Sequence, residues 1–350
     1  MTSRKIALGI LTFSLLALLV GIFNASRMGQ EESKSKSSNS PGSSVSALLN
    51  KHPRLALIDL SGMITMETAN DNGLFHNESN AVAARKALDG AAKDTSVKGV
   101  LLRINSPGGT VGMSQELNAA VKRVSKKKPV VVSMGDLTAS GGYYTACAAD
   151  KIFANPGTLT ASIGVIISTL DFTELMQQKL GVRPLTVKSG KFKDILSPYR
   201  HATPEDVALV QRLINDSYQD FLNTVLEGRT RYLDNEAQKK ALTAKIKAIA
   251  DGRVVTGRQA LAAGLVDEIG DMDAAYTSLD EMARERLHLR KSKDRLPLEG
   301  QDKNFSLMEF LGLAPDTLMP AMPGAMGVAQ AAKMLPLSLR YPNQPLWVME

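Results

Sequence analysis

Cysteine is nearly absent from this chain of 350 residues: Cys147 is its single example, which excludes an intramolecular disulfide framework and any metal site built from several cysteines. Cys147 stands among alanines, where a small buried apolar side chain fits, so we interpret it as a packing residue. Histidine is also scarce, with four residues, and none lies in the segments below that carry candidate catalytic groups. A serine hydrolase made from this chain is therefore expected to use another base.

A concentrated patch of one charge is lacking as well. The formal net charge is +7, and lysine and arginine are spread along the chain rather than gathered into a basic block with interleaved aromatic residues. This distribution gives no support to nucleic-acid binding. Apolar residues make up 44% and charged residues 22% of the sequence, as in an ordinary folded protein of one large domain or two small ones.

A long uncharged run, in contrast, is present near the N-terminus. Residues 6–23 contain no charged side chain and follow Arg4 and Lys5. As a helix this run is about 27 Å long, close to the roughly 30 Å of a membrane's hydrocarbon core. A cleaved signal peptide is the alternative, but its apolar region is usually about 7–15 residues long. We therefore predict a single-pass membrane anchor over residues 1–25, with the N-terminus in the cytoplasm and the remainder on the outer side of the cytoplasmic membrane.

Composition divides the rest of the chain into three parts. Residues 33–46 contain eight serines, a composition that cannot bury a core, so residues 26–52 are expected to form a flexible linker. Residues 53–290 are expected to form the folded domain. Prolines punctuate the tail, residues 291–350, for which we predict loose structure from about Ser292 and assign no role.

Within the folded domain, short apolar runs alternate with amphipathic helices, which indicates an α/β domain with a mostly parallel sheet. The strands are predicted at residues 55–60, 97–104, 129–133, 150–154, 164–167 and 182–187. The helices are predicted at residues 80–93, 113–127, 143–149, 172–180, 203–228, 235–249, 257–263 and 274–286.

Ser140 is a candidate nucleophile because it lies between a predicted strand and a predicted helix and is followed by Gly141 and Gly142. These glycines lack a Cβ, so a peptide backbone can approach closely. A serine in this place is also a common helix N-cap that needs no catalytic role. To attack a carbonyl at neutral pH the hydroxyl needs a base, and a lysine amine can serve if burial lowers its pKa towards 7.

Lys193 is the candidate base, 53 positions after Ser140. Lys188 and Lys191 are rivals, and each of the three lysines is an ordinary solvated residue unless the fold turns it inward. Ser162 can hydrogen-bond a lysine amine and hold it in line, although in isolation it reads as a turn residue.

Gly108 and Gly109 form a turn after a predicted buried strand and before a predicted helix. Backbone N–H groups at the start of a helix are unpaired and favour negative charge, which suits an oxyanion hole. Many strand-to-helix turns have the same form without that role, so the turn alone leaves both interpretations open.

Several segments together occur in the order and spacing of a known family. They are Asn105-Ser106-Pro107-Gly108-Gly109, Ala139-Ser140-Gly141-Gly142-Tyr143-Tyr144, Ala149-Asp150-Lys151-Ile152, Leu159-Thr160-Ala161-Ser162-Ile163-Gly164-Val165, and Lys188-Ser189-Gly190 with Lys193-Asp194. Over residues 54–286 the chain closely resembles signal peptide peptidases of the SppA type, in the shorter single-domain form.

The resemblance implies a ClpP/crotonase-like fold of repeated ββα units and a serine endopeptidase with a Ser–Lys dyad. Ser140 would be the nucleophile, Lys193 the general base and Ser162 the residue that orients the lysine. Gly108 matches the family's oxyanion donor, and the backbone amide of Gly141 is a second candidate donor. Neither a metal nor an organic cofactor is implied.

The resemblance also implies a membrane-tethered homo-oligomer that degrades signal peptides remaining in the membrane after secretion, along with other unfolded or apolar peptides. Three alternatives stay open from the sequence. They are a crotonase-like acyl-CoA enzyme, a non-catalytic oligomeric membrane scaffold, and a related peptidase that cuts membrane proteins.

Overall fold

The computed structural model describes residues 52–66 and 79–300, together with the backbone of residues 346–348. The predicted anchor and nearly all of the predicted linker lie outside the described residues. Within the described residues, no helix combines the length and apolar character that crossing a membrane requires.

The described chain alternates strands with helices. The strands are β1 (Arg54–Ser61), β2 (Val97–Ser106), β3 (Gly108–Thr110), β4 (Val130–Ala139), β5 (Lys151–Ala154), β6 (Leu159–Ala161), β7 (Val254–Thr256), β8 (Glu268–Ile269), β9 (Leu298–Gly300) and β10 (Leu346–Val348). The helices are α1 (Asn80–Lys93), α2 (Val111–Ser125), α3 (Gly141–Ala146), α4 (Pro204–Thr230), α5 (Glu236–Lys247), α6 (Gly257–Ala263) and α7 (Met272–Arg286), with a single π-helical turn at Leu175–Lys179.

One mostly parallel sheet organises the fold, which confirms the predicted α/β class. The main strand order is β7-β6-β4-β2-β1-β9. Strand β4 is shared between two neighbours, because its first half pairs with β5 and its second half with β6. All of these pairings are parallel except the one between β6 and β7. The end of β4 and the end of β6 therefore lie side by side.

The two faces of the sheet bury separate sets of apolar side chains, because successive residues of a strand point to opposite faces. Leu101 and Val131 face α7, where they pack with Leu279. Their neighbours Leu102 and Val132 join the larger cluster on the other face, which includes side chains of α1, α2 and α4. The strands are thus covered on both sides, as parallel strands usually are.

Local signals in the sequence explain where most helices begin. Helix α1 covers the predicted residues, and the hydroxyl of Ser79 accepts a hydrogen bond from the amide of Val82. Helix α4 begins with a capping box in which Thr203 and Asp206 each bond the other's backbone amide. A capping side chain contributes about 1 kcal/mol to a helix, which is enough to fix its first residue.

Two strand predictions were wrong. Residues 164–167 do not form the predicted strand; the strand in this part of the chain is β6, which ends at Ala161. Ala161 and Ser162 both have a positive φ, so the chain leaves the sheet before the apolar run at 164–167 begins. No strand forms at residues 182–187. Leu185 and Val187 in that stretch are each 90% exposed, so an apolar run is present without a neighbouring strand that pairs with it in the described chain.

The tail is also more ordered at its beginning than predicted. Strand β9 follows Ser292 and pairs in parallel with β1, next to the chain's entry into the sheet. Leu296 and Leu298 pack against the cluster under α7. The prediction of loose structure was therefore wrong for this stretch, because its backbone pairs with β1 and its leucines pack on the core.

Candidate active site

Ser140 occupies a strained turn between β4 and α3. Its backbone angles are φ 51° and ψ −118°, a conformation that residues with a Cβ rarely adopt. Such strain costs of order 1–3 kcal/mol and persists only where the surrounding structure enforces it. The amide of Ser140 donates to the carbonyl of Ala161 at 2.8 Å, which ties the turn to the end of β6. A sharp strand-to-helix turn that carries a serine is the geometry of an exposed nucleophile in other hydrolases.

The hydroxyl of Ser140 is buried and has no hydrogen-bond partner among the described residues. The residue is 0% exposed, and its Oγ is one of the few buried side-chain atoms left unpaired. A buried polar atom without a partner costs about 1–3 kcal/mol. No amide of α3 donates to this hydroxyl, so Ser140 does not act as a side-chain helix cap. Together with the strained backbone, the cost of the unpaired hydroxyl indicates that the serine is kept for a function.

Ser162 lies beside Ser140 through the pairing of their strands. Ala139 of β4 is the register partner of Ala161 of β6. Ser140 and Ser162 are the next residues along the two parallel strands, so they lie side by side at the strands' carboxyl ends. Ser162 is 7% exposed and has a φ of 51°. Its amide donates to the carbonyl of Arg253 at 2.9 Å, which holds the turn against β7. The structure thus brings these two predicted site residues together.

The predicted oxyanion turn lies next to the same serine. Ser106 is paired in register with Thr138 of β4, and its carbonyl would lie 3.1 Å from a Cβ built on Gly142. Gly108 has a φ of 107°, and its amide donates to the hydroxyl of Ser106 at 3.1 Å. To stabilise an oxyanion, this amide has to exchange that partner for the substrate oxygen. Gly141, the other candidate donor, is buried at the start of α3.

Glycine is required at position 109 because the chain passes very close to Ile64, in the segment that follows β1. A Cβ at Gly109 would lie 2.0 Å from the carbonyl oxygen of Ile64. The amide of Ile64 donates to the carbonyl of Gly108, and the amide of Thr110 donates to the carbonyl of Ile64. Strand β3 is therefore fixed on one side by backbone hydrogen bonds.

The three candidate lysines differ in their ion-pair partners. Lys188 forms an ion pair with Asp194 at 2.5 Å, and Lys191 forms one with Glu205. Among the described residues, no hydrogen bond or ion pair involves the side chain of Lys193, which is exposed. Of the three, Lys193 is thus the amine without a competing partner. It makes no hydrogen bond to Ser140, whose hydroxyl is unpaired.

Ion pairs fix the segment that carries Lys193. Arg200 bonds Asp194 at 3.0 Å and Asp206, in the first turn of α4, at 2.6 Å. Hydrogen bonds from Arg200 and Lys188 lower the pKa of Asp194 to about 2, so this carboxylate is charged at neutral pH. The position of Lys193 is thereby linked to the start of α4.

Residues 165–201, which we call the arm, carry many exposed apolar side chains. The amide of Phe172 donates to the carbonyl of Pro198, and the hydroxyl of Thr169 donates to the carbonyl of Leu196, so hydrogen bonds hold the arm together internally. Its large apolar residues that are exposed are Ile166, Leu170, Phe172, Leu175, Leu180, Val182, Leu185, Val187, Phe192 and Tyr199. A segment that exposes many large apolar side chains commonly marks an interaction site.

Sequence reasoning did not identify the roles of Ser106 and Arg200. Ser106 stands in the motif that suggested the oxyanion turn, but only the fold reveals its hydrogen bond to Gly108. Arg200 lies just beyond the lysine segment, and its two carboxylate partners are recognisable only in three dimensions. Within the described residues, no group of His, Cys, Asp and Glu side chains is arranged to hold a metal ion.

Comparison with known proteins agrees with this arrangement. Residues 122–286 match the model of peptidase family S49, a span that includes Ser140, Ser162 and Lys193. A protein of Synechocystis sp. named "Putative protease" is 37% identical over 274 residues, which cover 77% of this chain and 91% of the relative. An Enterococcus faecium protein named "Putative signal peptide peptidase SppA" is 37% identical over 227 residues, 65% of this chain and 62% of the relative.

A longer relative carries the same region. "Protease 4" of Salmonella typhi is 37% identical over 236 residues, which are 66% of this chain but only 36% of that protein. A strained, buried serine between a parallel strand and a helix, together with these likenesses, defines a serine peptidase. The chain belongs to peptidase family S49.

Proposed function

We propose that this serine peptidase is a membrane-anchored endopeptidase with a ClpP/crotonase-like fold, which degrades signal peptides remaining in the membrane after secretion. The observation that carries the proposal is the buried, unpaired hydroxyl of Ser140 in its strained turn beside Ser162. The relative named as a signal peptide peptidase supports the substrate class. The uncharged run at residues 6–23 supports the anchor, with the peptidase domain on the outer side of the cytoplasmic membrane.

The proposed reaction uses the dyad of Ser140 and Lys193. The neutral amine of Lys193 takes the hydroxyl proton while Oγ of Ser140 bonds to the substrate carbonyl carbon. Backbone N–H groups of Gly108 and Gly141 donate to the oxygen that becomes negative, and one such donor typically contributes about 10²–10³ in rate. The carbon–nitrogen bond then breaks, and the protonated lysine gives its proton to the leaving amine.

Water completes the cycle. It attacks the acyl carbon and loses a proton to Lys193, and the carbon–oxygen bond to Ser140 breaks as Oγ regains a proton. Ser162 donates to or accepts from the lysine amine and keeps it in line with Ser140 between the two half-reactions. Neither half-reaction needs a metal or an organic cofactor.

The proposal also requires that Lys193 be removed from water, and we assign that step to assembly. Lys193 lies on the arm, whose apolar side chains are exposed in the single chain. Packing of the arm against another copy would bury those side chains at about 25 cal/mol for each Å² and exclude water from the amine. A homo-oligomer is therefore the proposed active form, with apolar peptides as substrates.

The decisive experiment measures cleavage of defined signal peptides by the full chain in detergent, with products identified by mass spectrometry. We expect Ser140→Ala and Lys193→Met each to reduce hydrolysis by at least about 10⁴-fold, because the nucleophile and its base act as one unit. Lys191→Met is the matched control, since Lys191 is paired with Glu205 and should be dispensable. Activity retained by Lys193→Met, or lost equally in the control, would contradict the assignment of the base.

Two further measurements separate the alternatives. Mixing inactive Ser140→Ala and Lys193→Met chains tests whether assembly supplies the missing group, with recovered hydrolysis as the positive result. Binding of acyl-CoA thioesters in place of peptides would favour a crotonase-like enzyme. Absence of peptide hydrolysis by an assembled wild-type chain would favour a scaffold.

A further inference from the structure

Strand β4 contains two more residues than its neighbour β2 just before the turn that carries the nucleophile. Ile104 is the register partner of Met134, whereas Ser106 is the partner of Thr138. One residue of β2 therefore lies opposite three residues of β4, 135–137, which form a β-bulge. Bulges are common beside active sites, where they redirect a side chain.

The bulge sets the register between the oxyanion turn and the nucleophile. Gly108 follows Ser106 by two residues, and Ser140 follows Thr138 by two residues. In the register of the first half of β4, Ser106 would instead be the partner of Asp136. A parallel strand rises about 3.3 Å per residue, so the two extra residues shift Ser140 by up to about 7 Å along β2. The relative position of donor and nucleophile thus depends on the bulge keeping its shape.

Polar side chains bond the backbone groups that the bulge displaces from the ladder. The hydroxyl of Thr158 donates to the carbonyl of Gly135 at 2.7 Å. The side-chain oxygen of Asn105 accepts a hydrogen bond from the amide of Leu137 at 3.1 Å. A Cβ at Gly135 would lie 2.8 Å from this oxygen of Asn105, so glycine is required there. Displaced backbone groups need a partner, and here side chains of neighbouring segments supply it.

Two buried threonines continue this pattern up to the site. The hydroxyl of Thr138 donates to the carbonyl of Ile104 across the bulge at 2.8 Å. The hydroxyl of Thr160 donates to the carbonyl of Thr138 at 2.6 Å. Both threonines are 0% exposed, and each hydroxyl holds a neighbouring strand. The three linked residues each precede a site residue by two positions; those site residues are Ser106, Ser140 and Ser162.

We propose that Thr138 and Thr160 are positioning residues, which hold the turn of Ser140 between the oxyanion turn and Ser162. The inference rests on the proposed assignment of Ser140 as nucleophile, because both hydroxyls act on catalysis through that turn. The strained backbone of Ser140 persists only if its surroundings enforce it, and these bonds fix the strand that leads into it. A misplacement of about 1 Å can reduce the rate about 100-fold. Thr138 has the larger part, because its bond spans the bulge, where β2 and β4 lack a regular ladder.

The first test replaces Thr138 by valine, which has nearly the same shape and lacks the hydroxyl. For hydrolysis of a signal peptide by the full chain, we expect Thr138→Val to lower kcat at least about tenfold and to leave KM within about twofold. Thr138→Ser keeps the hydroxyl and should retain most of kcat. The matched control is Thr230→Val, because the hydroxyl of Thr230 donates to the carbonyl of Leu226 within α4 and should be dispensable.

Stability is measured on the same proteins, because a merely structural hydroxyl lowers the free energy of unfolding without changing kcat of the folded fraction. An unchanged kcat in folded Thr138→Val would overturn the inference, and so would an equal loss in Thr138→Ser or in the control. If Thr138→Val does not fold, Thr160→Val carries the same test, since it removes the other bond of the pair.

Hydrogen exchange of the Ser140 amide tests the inference without hydrolysis. This amide donates to the carbonyl of Ala161 at 2.8 Å, so its protection reports how firmly the turn is held. We expect exchange at Ser140 to be at least about tenfold faster in Thr138→Val and unchanged in Thr230→Val. If the wild-type chain hydrolyses no peptide but this difference is found, the peptidase mechanism fails and the positioning role stands. If hydrolysis is intact and exchange is unchanged, the inference about the threonines fails alone.

Discussion

At the scale of single residues, the site stores unfavourable energy at one position. Ser140 combines a positive φ with a buried hydroxyl that has no partner in the described chain. Neither feature is readable from the sequence, because a serine before two glycines is compatible with a relaxed helix cap. What the sequence did provide is the identity of the residue, through motifs that match in order and spacing.

Replacement of Ser140 is therefore expected to stabilise the protein while it abolishes hydrolysis. Ser140→Gly relieves the positive φ and also removes the unpaired hydroxyl, and should raise the free energy of unfolding by about 1–3 kcal/mol. Ser140→Ala removes only the hydroxyl and should raise it less. Denaturant unfolding of both variants measures the effect. A Ser140→Gly protein less stable than Ser140→Ala would contradict the assignment of backbone strain.

The thiol of Cys147 offers a second prediction at this scale. Complete burial raises its pKa from 9.0 to about 12, so the folded protein keeps the thiol protonated and inaccessible. We expect no reaction with a disulfide reagent at pH 8 until the domain unfolds. Because the folded pKa is above the unfolded one, the thiol's contribution to stability is complete below about pH 9 and is lost as the pH rises towards 12. Rapid labelling under native conditions would show that the residue is accessible.

At the scale of elements, the sequence predicted helices better than strands. Helices α1, α4 and α6 agree closely with prediction because caps such as Ser79 and Thr203 are local and visible in the sequence. A strand forms only if another strand pairs with it, and local sequence does not show which strand that is. The apolar run at residues 182–187 was therefore predicted as a strand, although in the structure it is exposed coil. The same limitation applies to the site: neighbouring strand ends unite Ser140 with Ser162, whereas no local signal determines where Lys193 points.

Helix α7 supplies much of the apolar cover on one face of the sheet, and its central contact is open to test. Leu279 is completely buried against Leu101 and Val131. Leu279→Ala should lower the free energy of unfolding by about 2–5 kcal/mol, because it removes buried methyl groups and leaves a cavity. Leu261 on α6 is 40% exposed and provides the control, for which alanine should cost less than about 1 kcal/mol. Similar losses for the two variants would contradict the described packing.

At the scale of the whole molecule, the single chain contains a complete core but an incomplete site. The sheet is covered on both faces, whereas the arm exposes its apolar side chains and Lys193 remains in solvent. The homo-oligomer proposed above would bury the arm against another copy. Leu185 and Val187, which are exposed in the single chain, would then be buried as their apolar run predicts.

Helix α4 packs very closely against α3, the helix that follows Ser140. A Cβ at Gly228 would lie 2.2 Å from the carbonyl oxygen of Cys147, at the end of α3. At its opposite end, α4 holds Arg200 through Asp206 and so anchors the lysine segment. Because Gly228 has no side chain, α4 packs directly on the end of α3 and so connects the helix after Ser140 with the segment that carries Lys193. A larger side chain at position 228 would push α4 away from α3.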